Sequence, residues 1–457
     1  MTLVGLDRLQ FGVTTIYHFL FVPLTIGLAF LLAVLESWYW RRPEPGHRKV
    51  LDFFGRLFLI NFAVGVVTGI LQEFQFGMNW ANYSRFVGDV FGAPLAVEAL
   101  AAFFLESTFL GVWIFGWDRL SPRLHAWSMW LTALGTTISA FWILAANSFM
   151  QEPVGYRLVH GRAEMVSFGA LVTNPQLWVE FPHVELGALA TGAFFMMGVS
   201  AYFLARGRDV RWFLRPFRLA LAVGVVTSVL VVVLGHDQAQ HLMAAQPMKM
   251  AASEALWHTS ALHAPWTVVA LIHPHQQRNT AVLAIPDLLS ILAYNRLSGR
   301  VPGIDTLQHL YVRRYGPGWY VPPVVVTFWS FRLMILAGFL MMALTAYGVL
   351  ADHQGHLLER RRYLRLMVWA IGLPLFANIM GWVMTEVGRQ PWIVFGLEKT
   401  QDAISPAVGP GAVWGTLIGF GLGYGVMTAF EAYLMLKYIR LGLGAEEPEA
   451  PLHPAPA

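Results

Sequence analysis

The sequence predicts an all-α polytopic membrane protein: nine transmembrane helices, the N-terminus outside, the C-terminus cytoplasmic, and a large external loop between helices six and seven. Three observations carry that prediction. Of 457 residues, 56% are hydrophobic and only 13% charged, against about 25% charged in an ordinary soluble protein. Several apolar runs exceed the roughly 20 residues that cross a bilayer as helix. Basic residues also gather in alternate connections between those runs, and short cytoplasmic loops are the ones that concentrate Lys and Arg.

Spans are predicted at 10–38, 53–77, 92–117, 124–149, 183–205, 213–235, 324–350, 363–386 and 411–437. The first follows Asp7 and Arg8, and no small-residue cleavage site closes it, so it reads as a span and not as a removed signal peptide. The cytoplasmic connections carry Arg41, Arg42, Arg48 and Lys49, then Arg119 and Arg123, then Arg206, Arg208, Arg211, Arg215 and Arg218, then Arg360, Arg361, Arg362 and Arg365. Lys437 and Arg440 follow the last span. The short opposite loops hold only Arg8, Arg85, Arg157, Arg162, Arg389 and Lys399. Transmembrane helices one to six thus occupy 1–235, and helices seven to nine occupy 324–440. The connection 236–323 is too long for the charge rule. It is polar but contains IPDLLSILAYNRL, and is expected to fold onto the membrane surface. The Pro/Ala-rich tail 441–457 is expected to be disordered. The net charge of +4 does not point to nucleic acid, because the arginines belong to short loops between spans.

The chain has no cysteine, which excludes disulfides, iron–sulfur clusters and thiolate ligands. A metal would rest on His, Met, Glu or Asp. Ionisable groups at membrane depth are costly and mark functional sites by default. His18 lies in TTIYHFLFVPL, roughly 12 Å inside the first predicted span at helical rise. His183 opens the fifth span. Arg332 and Met334 lie a third of the way into the seventh, and Glu386 closes the eighth in GWVMTEVGRQPW, with Arg389 three residues on. Glu98 and Glu106 lie in the third span, two turns apart on one broad side. Singly, each has a plain reading: a His bonded to a carbonyl, a Met filling space, a Glu at the headgroups. Together the two His, the Met and two of the acids sit on separate helices at similar depth toward the outside, with Glu106 nearer the middle. His with Met holds a six-coordinate, electron-transferring haem, and a single His or Glu ligand leaves a position open for oxygen. Arg332 is placed to neutralise a haem propionate. The alternative is a proton-coupled membrane transporter that uses the same acids without a cofactor. Ser107, Ser139 and Asn147 read as helix-packing polar residues. His125 reads as structural.

The motifs RLQFGVTTIYHFLFVPLTIG, NFAVGVVTGILQEFQFGMNW, VGDVFGAPLAVEALAAFFLEST, FGWDRL, WILAANSFMQ, QPMKMAASEALW, FRLMILAGF and GWVMTEVGRQPW run over most of the chain. Together they closely resemble subunit I of the cytochrome bd-type quinol oxidases. The resemblance implies a subunit that oxidises membrane quinol outside and reduces O2 to water with cytoplasmic protons, without pumping. It implies His183 and Met334 as axial ligands of a low-spin b-type haem, with Arg332 nearby. His18 and Glu386 would serve the two haems of the oxygen-reducing centre, a high-spin b and haem d. Glu98 and Glu106 match acids of the dihaem site and its proton supply, and Lys249 and Glu254 match residues of quinol oxidation. Arg389 would meet haem propionates and Trp382 would lie near the electron path. Subunit II, a possible small accessory subunit and residence in the bacterial cytoplasmic membrane are likewise implied. The external loop lacks the long insertion of some members, which makes this a short-loop form, and in some relatives a b-type haem replaces haem d.

Overall fold

The computed structural model describes residues 2–44 and 46–444, so the predicted disordered tail lies outside the described residues except for 441–444, which close the last helix. Among the described residues nine helices are long and apolar enough to cross a membrane: Leu3–Arg41, His47–Met78, Ala81–Phe115, Pro122–Gln151, Pro175–Ala205, Val210–Ala245, Val324–His353, Arg361–Gly388 and Pro410–Gly444. They are spans one to nine. Each is longer than its apolar run, because helical hydrogen bonding continues after the side chains turn polar, and hydropathy marks only the lipid-matched part.

Three expectations change with those ends. His18 stands fifteen residues beyond Leu3, about 22 Å along the helix from its start. His183 lies two turns inside span five instead of at its start. The sixth span runs on to Ala245, so the large connection begins at Gln246 rather than at 236. The helical extension carries His236, bonded to Asn295 at 2.9 Å, and His241, bonded to Glu152 at 2.7 Å.

Span five is the hub. It packs against spans one, four, six and eight, and residues 188–204 of it are buried almost without interruption. It crosses span one at two glycines: a Cβ on Gly27 would stand 2.3 Å from the Ala188 carbonyl oxygen, and one on Gly192 would stand 2.4 Å from the Gly27 backbone. Small residues let helices approach this closely where hydrophobic driving force between spans is weak.

Two spans are irregular. Span one breaks between His18 and Val22, just before Pro23, which has no N–H to give. The break is held by Asn61 of span two, whose amide donates to the Phe21 carbonyl at 2.9 Å and to the Thr25 hydroxyl at 2.8 Å. Span three contains a π-helical turn, Glu98–Phe103, one turn after the interior Pro94. Such turns shift the helical register and recur at functional sites. At the arginine-rich end, buried Glu36 of span one accepts from the Trp113 indole at 2.7 Å and pairs with His125, whose Nε2 lies 2.8 Å from the Trp113 carbonyl oxygen. His125 thereby ties spans one, three and four together.

The large connection is folded. A short helix, Pro247–Ser253, leads to an antiparallel hairpin, Trp266–His273 with Arg278–Ile285, and to helices Leu288–Tyr294 and Ile304–Tyr315. Helix Pro247–Ser253 packs on spans six, seven and eight and on helix Ile304–Tyr315. A β-hairpin was not part of the sequence expectation. Its signal was the β-branched run WTVVALIH, a strand composition.

Candidate functional site

His18 ends the first half of span one, and its ring meets span two. Thr68 donates its hydroxyl proton to the Gly65 carbonyl at 2.9 Å, so its oxygen can only accept from His18 Nδ1, also 2.9 Å away. The proton therefore sits on Nδ1, and Nε2 keeps a free lone pair, the form that binds iron. A Cβ on Gly69 would lie 3.1 Å from the ring's Cε1. His183 stands in the same relation to span six, 3.2 Å from a Cβ on Gly235. Met334 of span seven repeats the pattern against span eight, its sulfur 2.9 Å from a Cβ on Gly381. Each of these side chains faces a glycine on the neighbouring helix.

Glu386 lies two residues from the end of span eight. Its Oε1 accepts from Asn147 and from Gln151, both at 3.1 Å, and its Oε2 pairs with Arg389. Arg389 is buried, reaches the Trp392 carbonyl at 3.4 Å, and among the described residues its Nη1 has no hydrogen-bond partner. A buried, unsatisfied guanidinium nitrogen suits a carboxylate guest such as a haem propionate. Trp382 packs edge-on against Phe19, 5.6 Å between rings, at the break beside His18. The eighth span thus touches the surroundings of both His18 and Met334.

Arg332 is turned toward the large connection. Its Nη2 lies 2.5 Å from Glu254 and its Nε donates to the Thr267 carbonyl at 2.8 Å, with the rings of Trp266 and Phe328 under the guanidinium. The arginine expected beside a propionate is thus spent largely on the loop. Burial pushes the Glu254 carboxyl up, and Arg332 opposes that rise. Lys249 sits at the other end of the same segment, buried, its chain passing Gly388 and its ammonium 2.6 Å from the Gln151 side-chain oxygen. Burial, and then the neighbouring Arg389, bring its pKa down to about 7.

Glu98 and Glu106 both face span four. Ser139 donates to Glu98 at 2.7 Å, while Glu106 is buried with its backbone against Gly135, one turn earlier on the same face. Ser139 and Asn147, read from sequence as packing residues, each bond a candidate acid. Ser107 remains an exposed residue bonded to its own helix at Phe104. Sequence reasoning missed Gln151, Gln246 and Glu180. All three are buried, and Glu180 lies one turn before His183. The last was open to notice as an acid inside an apolar span.

The candidate ligands stand on separate elements, and among the described residues no three His, Cys, Asp or Glu side chains converge. Side chains spread over several helices in this way would suit a large cofactor that spans them. The donor set fits haem: an imidazole with a free Nε2, a second imidazole, a thioether, a carboxylate and an unsatisfied buried arginine.

Comparisons with known proteins show the family that the sequence resembles. The family described as cytochrome bd terminal oxidase subunit I matches residues 6–443. The chain is 53% identical, over 97% of its length and 94% of the relative, to cytochrome bd ubiquinol oxidase subunit 1 of Bacillus subtilis. It is 38% identical, over 98% of both chains, to cytochrome bd-II ubiquinol oxidase subunit 1 of Escherichia coli. The solved bd oxidase of Geobacillus thermodenitrificans superposes with a TM-score of 0.88 at 27% identity, covering 96% of this chain and 98% of that one. This chain belongs to the family of cytochrome bd terminal oxidase subunits I.

Proposed function

We propose that this chain is the haem-bearing, quinol-oxidising subunit of a bacterial terminal oxidase that passes electrons from membrane quinol to O2. The observation that carries the reading is the set of three candidate ligands, His18, His183 and Met334, each against a glycine of the neighbouring span. His183 and Met334 would hold a low-spin b-type haem. His18 and Glu386 would hold the haems of the oxygen-reducing centre, a high-spin b and a haem d or second b in its place. When bound, the haems supply the path for electrons and the place where oxygen is reduced.

The chain's own residues divide the remaining work. Lys249 and Glu254, brought into the protein by the short helix after span six, would bind quinol and take its protons. A lysine with a pKa near 7 can act as such a base at physiological pH. The arginine distribution favours the N-terminus and this segment outside, the C-terminus cytoplasmic. Quinol protons then leave outside, while Glu106 passes cytoplasmic protons to Glu98, so charge crosses the bacterial cytoplasmic membrane without a pump. Subunit II would complete a heterodimer, with a small accessory subunit as a further partner. The transporter reading has no use for a methionine and two histidines set in this way.

The test is oxygen uptake by the purified complex with decylubiquinol as donor. The account expects quinol-dependent uptake that Glu386→Ala abolishes. Uptake unaffected by that substitution would remove Glu386 from the oxygen-reducing centre.

A further inference from the structure

The loop lysine and the carboxylate of Glu386 do not touch; one side chain stands between them. Gln151, the last residue of span four, is fully buried. Its Oε1 accepts from Lys249 at 2.6 Å and from Gln246 at 3.0 Å. Its Nε2 donates to Glu386 at 3.1 Å and to Asn147 at 3.3 Å. Its backbone carbonyl takes a second bond from Gln246 at 2.6 Å. Every polar atom of its side chain is engaged, and only one orientation of the amide serves. Flipping it would set an NH2 against the ammonium and an oxygen against the carboxylate. A neutral amide is also the group that can accept on one side and donate on the other without adding charge to a buried cluster already holding Lys249, Glu386, Arg389 and Glu180.

We propose that Gln151 is a positioning residue that links the quinol-loop lysine to Glu386 and holds the two apart. Without it, a buried ammonium and a carboxylate would close into an ion pair, and Lys249 would compete for the carboxylate oxygen that the oxygen-reducing centre uses. The bridge also makes the loop's seating and the position of Glu386 depend on one another. The proposal rests on the reading of Glu386 as a haem ligand and of Lys249 as a quinol residue.

The experiment compares Gln151→Leu, Lys249→Met and the double variant in the purified complex. Each is followed by reduced-minus-oxidised absorption spectra and by KM and kcat for decylubiquinol. Gln151→Leu is expected to shift or diminish the bands of the oxygen-reducing centre while the low-spin b band stays, and to raise KM about tenfold through the lost charge-assisted hydrogen bond. In the double variant the competing ammonium is gone, and the oxygen-reducing bands should return toward wild type although KM stays high. A merely structural glutamine gives no such recovery. Bands equally disturbed in the single and double variants overturn the proposal, as does a Gln151→Leu protein with wild-type spectrum and KM. A wild-type complex without haem bands or quinol oxidation overturns the underlying functional reading instead.

Discussion

At the scale of single residues, the site is set by which atoms are left with nothing else to do. His18 keeps Nε2 free because Thr68 is committed to the Gly65 carbonyl and fixes the proton on Nδ1. Met334→Leu keeps the volume and removes the sulfur, a change that usually costs less than about 1.5 kcal/mol of stability. The low-spin haem band should be lost while the protein elutes and melts as before, and an unchanged band would strike Met334 from the ligands. Lys249 makes a different prediction. In the unfolded chain it keeps its proton to about 10.5, whereas in the folded protein it releases it near 7. Between those values the unfolded state binds more protons, so stability rises with pH by up to about 1.4 kcal/mol per unit; below 7 both states are protonated and the dependence fades. Lys249→Met should flatten that slope in unfolding measurements between pH 7 and 9. An identical slope in the variant would show that the lysine titrates normally. Ionisable side chains inside apolar runs made Glu98, Glu106, Glu386 and His18 legible from sequence. Gln151 was not legible, because an amide at a span's end reads as a headgroup contact until its neighbours arrive from the large connection and from span eight.

At the scale of elements, irregularity coincides with the candidate site residues. Span one breaks beside His18, span three changes to a π-helical turn at Glu98, and span four bonds Glu98 through Ser139 and Glu386 through Asn147. Asn61→Leu takes away the two bonds that hold the break and should cost about 1–3 kcal/mol. The account expects a lower melting temperature together with a shift of the bands from the His18 centre but not of the low-spin band. A loss of stability that leaves both bands in place would mean that the break does not position His18. Nine spans could be read from sequence because each contains a bilayer's length of apolar residues. Their ends could not, since helix persists into polar sequence once the first turns are formed. The hairpin Trp266–His273 with Arg278–Ile285 was hidden inside a connection whose length and polarity spoke louder than its β-branched composition.

At the scale of the whole molecule, span five organises the bundle and the folded connection closes over one end of it. Arg332 with Glu254, and Lys249 with Gln151, are two places where that connection meets the bundle. One lies two residues from Met334 and the other reaches Glu386. The connection is therefore fastened near two of the candidate ligands, Met334 and Glu386. Contacts of this kind, made between residues 65 to 98 positions apart in the chain, leave no mark in local sequence.

The central claim is that these side chains hold haem, and the reduced-minus-oxidised spectrum of the purified complex, with and without His183→Ala, tests it most directly. The account predicts b-type haem bands in the wild type, with selective loss of the low-spin band in the variant. A folded wild-type complex without haem bands, or a His183→Ala protein with its low-spin band intact, would contradict it.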